Sequence, residues 1–371
     1  MKFVIAPFAV LALAAAVGQA APFEAKNVAA DAKWVIHVDV DAVRDSHVVQ
    51  KAFQTCPMLK DSGKHSDMIR DKAGVDLRKD LHGLTLYGPD ADKKHAVAIV
   101  FSTVNQKLLL DKAAKATDHK VTKHGSIDIH SWTVKHGSKT ETAAGAFYKP
   151  DVLVFAADAQ RVGAAIDVLD GKSPGITDPK SPLGGHVYKG ATVIVRAIDI
   201  PADNRCPILK QAASLRVALG ESDGKSFYRA KLVMKSPEAA EQVKTMGDGF
   251  KAMAELRFAD DADLLKLIDG LKVTVKQSTV NIRWSASADD VWTAIEKLAK
   301  QAREHFKGMH DGKAGTCPPG CQCPACKAKA KADGKAGTCP PGCQCPACKA
   351  KAKAKADADA KAKAKTDAKS K

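Results

Sequence analysis

Eight of the ten cysteines stand in two short units near the C-terminus: Cys317, Cys321, Cys323 and Cys326, then Cys339, Cys343, Cys345 and Cys348. Each unit reads C-x3-C-x-C-x2-C. Four thiolates at this spacing suit the tetrahedral preference of Zn²⁺, and the softness of sulfur equally suits Cu(I). Pro-Pro-Gly between the first two cysteines of each unit favours a tight turn that brings their sulfurs together. The 21 residues from Gly312 recur unchanged 22 positions later, until Asp333 gives way to Lys355. Lysines beside each unit would lower the thiol pKa values and offset the negative charge of a thiolate–metal centre. The rival for the same residues is disulfide chemistry, up to two bonds per unit, or cross-links to other molecules.

Cys323, Cys326, Cys345 and Cys348 also fit the zinc template of two C-x2-C pairs, with 18 residues between them. That gap follows from the repeat length. The intervening segment has no aromatic or branched apolar residue from which to build a zinc-ribbon core, so a folded finger is not expected. The dense C-x-C and C-x2-C spacing without aromatics resembles metallothionein over the two ten-residue units, which implies soft-metal ligation there. The lysine–alanine spacers depart from that family.

Two further constellations lie upstream. In "WVIHVDVDAV", His37, Asp39 and Asp41 alternate with Ile36, Val38 and Val40, so on a strand a histidine and two carboxylates share one face. That set suits a divalent metal or an acid–base pair; the plainer expectation is a solvated polar face, with Asp41 starting the next helix. His119, His124, His130 and His136 crowd the segment "DHKVTKHGSIDIHSWTVKHG". Their spacings suit no single helix face, and a hairpin would scatter them over both sides of a sheet. An exposed polar hairpin is the expectation. The body carries no Gly-rich phosphate loop, no HExxH and no GxSxG elbow, and nothing in it supports an enzyme.

The termini suggest where this chemistry would operate. Lys2, the apolar run Phe3 to Val17 and the small residues to Ala20 read as a signal peptide over 1–20, and no later stretch approaches 18 apolar residues. The mature protein is expected to be periplasmic or secreted, without a transmembrane segment. Of the formal net charge of +16, the stretch from Gly312 to Lys371 carries 14 Lys against 4 Asp. Basicity is thus mainly a property of the tail. "KAKAKADADAKAKAKTDAKSK" resembles the lysine- and alanine-rich tails of linker histones, which implies binding to phosphate-bearing polymers. In an exported protein the polyanion would be an anionic envelope polymer, the membrane surface or extracellular nucleic acid. A solubilising tail is the plainer alternative. Disorder or a transient helix is expected over 312–371.

Elements that would position these groups follow from hydrophobic period. "VLVFAADAQRVGAAIDVL" and "NIRWSASADDVWTAIEKL" align without gaps, each a strand running into a helix with Asp158 or Ser287 as N-cap. "TCPML" echoes "RCPIL", each after a strand (Trp34–Val40 and Thr192–Ile198), and "LTLYG…HAVAIVFST" echoes "LRVALG…FYRAKLVMKS". Both hairpins lead into helices, one beginning near Asn105 and one capped by Ser236 with Pro237 at its first position. Along the latter, Val243, Met246, Phe250, Met253 and Leu256 repeat at three or four residues, which reads as a core face.

The expected architecture is α+β: two degenerate tandem repeats of antiparallel sheet with packed helices, over 30–172 and 187–308, followed by the tail. Each repeat reads as strand, helix, hairpin, helix, hairpin, helix. Cys56 and Cys206 hold equivalent places in the two halves and are candidates for a disulfide between them. The start "WVIHVDVDAVRDSHVVQKAF" and the "LDGK" ending the first half resemble secreted duplicated α+β proteins of planctomycete-type bacteria, a resemblance that implies no activity.

Overall fold

Twelve strands of alternating pattern form one antiparallel sheet in this computed structural model, which describes residues 21–55, 70, 74, 76, 78–137, 139–177, 181, 183–200 and 206–311. The described residues divide into two units with the boundary between Thr293 and Ala294. The strands are β1 (Trp34–Asp39), β2 (Leu81–Gly88), β3 (Val97–Ser102), β4 (Lys120–His124), β5 (Ile127–His136), β6 (Lys139–Lys149), β7 (Val152–Ala156), β8 (Ala191–Ile198), β9 (Ala212–Ser222), β10 (Lys225–Met234), β11 (Lys272–Lys276) and β12 (Thr279–Ser287). Eight helices are present among the described residues: α1 (Val40–Asp45), α2 (His47–Thr55), α3 (Gln106–Ala113), α4 (Ala159–Leu169), α5 (Pro207–Lys210), α6 (Pro237–Arg257), α7 (Ala262–Asp269) and α8 (Ala288–Asp311). The fold is α+β, as expected from sequence.

Strand order across the sheet is β11-β12-β10-β9-β8-β1-β2-β3-β7-β6-β5-β4. β1 and β8 are antiparallel neighbours in its interior, with five strands on the β8 side of the junction and seven on the β1 side, Trp34 opposite Ala197 and Val38 opposite Val193. The segment from β8 to α8 departs from the expected element order by one extra helix, α7, between its hairpins, and the segment from β1 to α4 carries an additional hairpin.

Local chemistry sets the boundaries. Asn105, Asp158 and Ser236 each accept a hydrogen bond from the backbone N–H three residues on, and the Ser287 hydroxyl accepts one from Asp290. These caps satisfy donors that a helix start leaves unpaired. The β9–β10 hairpin turns on Asp223 and Gly224, both at positive φ (53° and 72°), the geometry an Asp-Gly two-residue turn provides.

Cross-strand partners point to the same side of a sheet, so the register sorts the core into two layers. On one side Val35, Ile99, Ile129 and Val154 pack with Val162 and Ile166 of α4. On the other, Ala230, Leu232 and Val280 pack with Ala239, Ala240 and Val243 of α6.

The apolar stripe of α6 is not a core face. Val243 is buried, but Met246, Phe250, Met253 and Leu256 are 47, 62, 62 and 81% exposed. The helix approaches the sheet through its small residues instead: Ala239 and Ala240 are buried, and a Cβ on Gly247 would meet Val273 at 3.2 Å. Close backbone approach selects the small face, and the large side chains are turned away from it.

Candidate functional site

The strand constellation is committed to structure. Burial along β1 alternates with His37 and Asp39 inward, 1 and 6% exposed, and Ile36 and Val38 half-open. The polar face is therefore the buried one, which corrects the expectation of a solvated face. His37 lies directly opposite Thr85 on β2 and its Nδ1 is 2.9 Å from the Thr85 hydroxyl, with Phe23 beside the ring. Its Nε2 is buried without a hydrogen-bond partner of good geometry among the described residues, and burial pushes its pKa down to about 4 against a weaker, opposing effect of the Ala21 backbone. Asp39 ends the strand and caps α1, accepting from the Ala42 N–H at 2.9 Å, so it rather than Asp41 starts the helix. Burial raises the Asp39 pKa. Asp41 sits in the first turn of α1, where it holds Arg44 and, at 2.9 Å, His82. The three side chains do not converge on a common point of coordination.

The histidines of the hairpin fall on both sides of the sheet, as expected, but His119, His124 and His130 are half-buried and partnered, which corrects the expectation of an exposed polar hairpin. His124 faces α4, its Nε2 2.8 Å from Asp167. His119 and His130 meet on the opposite side of the sheet as a stacked pair, ring centroids 5.3 Å and Nε2 to Nδ1 3.0 Å apart. Desolvation and the neighbouring His119 lower the His130 pKa, against an opposing pull from Asp128. His136 ends β5. Among the described residues no group of three or more His, Cys, Asp or Glu converges to hold a metal. The eight tail cysteines lie outside the described residues, as does Cys56. Cys206 stands exposed at the start of α5.

Beside His130 the structure has a feature that the sequence reading missed. Leu109, Leu110 and Ala113 of α3 stand above Trp132, Phe147 and Phe155 of the sheet, enclosing a cleft of about 280 Å³. Gly145 forms part of the floor; a Cβ there would meet the Phe155 ring at 2.6 Å. The Phe155 ring thus lies across β6 only because that position lacks a side chain. His130 and Lys112 are the polar residues of the lining. This volume is near the lower end of small-molecule sites, and the walls are dominated by aromatic and aliphatic groups, as such sites usually are. The signals were Trp132, Phe147 and Phe155 on three successive strands, but only the register shows that they share a side.

No family model matches the chain, and no curated protein matches it. Among solved structures the chain is similar to crystal form I of TP0453, at 10% identity and a TM-score of 0.39, covering 75% of this chain and 98% of that one. Crystal form III of TP0453 gives the same identity and TM-score, covering 75% of this chain and 100% of that one. At that level of superposition the likeness carries no inference about fold or function.

Proposed function

We propose that the protein is an exported, non-catalytic binding protein whose body is a ligand-holding scaffold and whose tail takes a soft metal, Zn²⁺ or Cu(I). The ligands are Cys317, Cys321, Cys323, Cys326, Cys339, Cys343, Cys345 and Cys348. The observation that carries this reading is the unaltered recurrence of the four-thiol unit with its trailing lysines. Four thiolates around Zn²⁺ carry a net charge of −2. Lys327, Lys329 and Lys331, with their repeats Lys349, Lys351 and Lys353, would screen it. Because thiolates are the ligands, affinity falls as pH drops and they protonate. A cluster shared across both units relieves the crowding that C-x-C imposes on a single mononuclear site.

The test is metal analysis of protein taken anaerobically from the exporting cell, with thiols counted before and after a chelator. Bound metal is expected, with all eight tail thiols alkylated after chelation without reductant. If those sulfurs resist alkylation under denaturing, metal-free conditions until a reductant is added, they are disulfides and the metal reading fails. The reading left standing is then an envelope interaction protein, its polycationic tail on anionic polymers or extracellular nucleic acid.

For the body, the cleft under α3 supports a second assignment: it takes a medium-length aliphatic chain. Its volume and aromatic floor favour that ligand, with Lys112 in the lining able to meet a polar head group at one end of the chain. We also read the body as two copies of one unit. Counted outward from the β1–β8 pair, the order 8-9-10-12 on one side parallels 1-2-3-7 on the other, which supports duplication.

A further inference from the structure

On the side of the sheet opposite the α3 cleft, three cations stand in a row across three strands. Arg196 on β8 is directly opposite Arg216 on β9, and Arg216 is directly opposite Lys231 on β10. Arg229, two residues before Lys231 on β10, points to the same side. Like charges placed directly opposite each other in a sheet repel and destabilise it. The cost is greatest at Arg196, which is 3% exposed. Burial and the neighbouring Arg216 together push the Arg196 pKa down to about 10.

Buried charges are ordinarily paired with opposite charges. Here the hydrogen-bond partners among the described residues are main-chain carbonyls. Arg196 donates to the carbonyls of Leu183 at 2.8 Å, His186 at 3.0 Å and Gly184. Arg216 also donates to Gly184, and Arg229 donates to Trp284 at 3.1 Å. The described arginine ion pairs are made elsewhere, by Arg44, Arg78 and Arg161. Carbonyl dipoles satisfy N–H donors but leave the net charge uncompensated. The carbonyls of residues 183–186 account for Arg196 as a latch on that segment. They do not account for setting Arg216, Arg229 and Lys231 beside it.

Between these side chains lies a pocket of about 80 Å³, lined by Arg196, Arg216, Arg229, Lys231, His186 and Tyr188. It has room for a compact polar group and none for a large organic ligand. Guanidinium forks match the oxygen geometry of phosphate, which they bind with charge-assisted hydrogen bonds. We propose that this pocket is a binding site for a phosphoryl group, with Arg216, Arg229 and Lys231 as the contacting residues and Arg196 as the residue that fixes the pocket wall and supplies field. The phosphoryl group comes either as free phosphate or as the terminus of a small phosphomonoester; the bound dianion would neutralise two of the opposed cations.

The experiment is isothermal titration of the full-length chain with inorganic phosphate and, separately, with glycerol phosphate, both against sodium chloride at matched ionic strength. Saturable binding is expected, with affinity falling at least tenfold in Lys231→Glu and in Arg216→Gln. Lys244→Gln on α6 should bind as the parent does. Lys231 is exposed, so Lys231→Glu keeps the test open if Arg216→Gln does not fold. Tighter binding of glycerol phosphate identifies the phosphomonoester as the ligand; tighter binding of inorganic phosphate identifies the free ion. The assignment is overturned if neither binds above the chloride control, or if folded Lys231→Glu binds as the parent does.

Discussion

His37 shows how one residue can be legible in its pattern and misread in its role. Strand alternation placed it with Asp39 on one face of β1, and the structure keeps them there. Alternation gives two faces but does not say which is inward. Ile36 and Val38 made the apolar side the obvious candidate for burial, yet Val35, Ile99 and Val154 line the side that α4 covers, and His37 goes with them. The consequence is a titration effect. The native imidazole has a pKa near 4 against an unfolded value of 6.5, so between those limits the unfolded chain takes up a proton that the native state refuses. The contribution is full above pH 6.5 and is lost as pH falls through 4, a change on the order of 3 kcal/mol for a residue only 1% exposed. Asp39, with its raised carboxyl pKa, acts in the opposite sense at the acid end. Urea unfolding from pH 7 to 4 should therefore show a shallower loss of stability in His37→Gln than in the parent. Parallel curves for the two proteins would remove His37 as the group responsible.

At the scale of elements, caps were readable and packed faces were not. Asn105, Asp158, Ser236 and Ser287 mark helix starts because a cap is a local event, one side-chain oxygen meeting an N–H three residues on. Which face of α6 meets the sheet is a long-range matter, decided by whether Ala239, Ala240 and Gly247 let the backbones approach. The α3 cleft belongs to the same class of fact, since Leu109 and Trp132 are brought together only by the register of β5, β6 and β7. Occupancy of that cleft is open to a direct measurement. An 11-bromoundecanoate chain seated against Trp132 should quench tryptophan fluorescence saturably, and Trp132→Phe should lose most of that quench. Leu109→Asp, which places a carboxylate in the apolar wall, should weaken binding at least tenfold, because the ligand would have to desolvate that group on entering. Quenching that survives unchanged in Trp132→Phe would place the chain elsewhere.

For the whole molecule, the separation of chemistry between body and tail is itself the physical statement. The body buries two apolar layers on opposite sides of one sheet. From Gly312 to Lys371 there is no Phe, Trp, Tyr, Ile, Leu, Met or Val, and 14 lysines repel one another. Such a composition has no apolar surface with which to offset the entropy of ordering about sixty residues. The body's stability must then come from residues before the tail. A chain ending at Asp311 is accordingly expected to melt within about 2 °C of the full-length protein at matched pH and in the presence of a chelator, a shift that corresponds to no more than about 1 kcal/mol in a domain of this length. Zn²⁺ added to the full-length chain should protect the tail thiols from alkylation while leaving the melting point where it was. A metal that binds only a segment making no contact with the body has no route by which to stabilise the body. A fall of more than a few degrees on truncation, or a zinc-dependent rise in melting point, would mean that the tail docks on the body and that ligation and folding are one equilibrium.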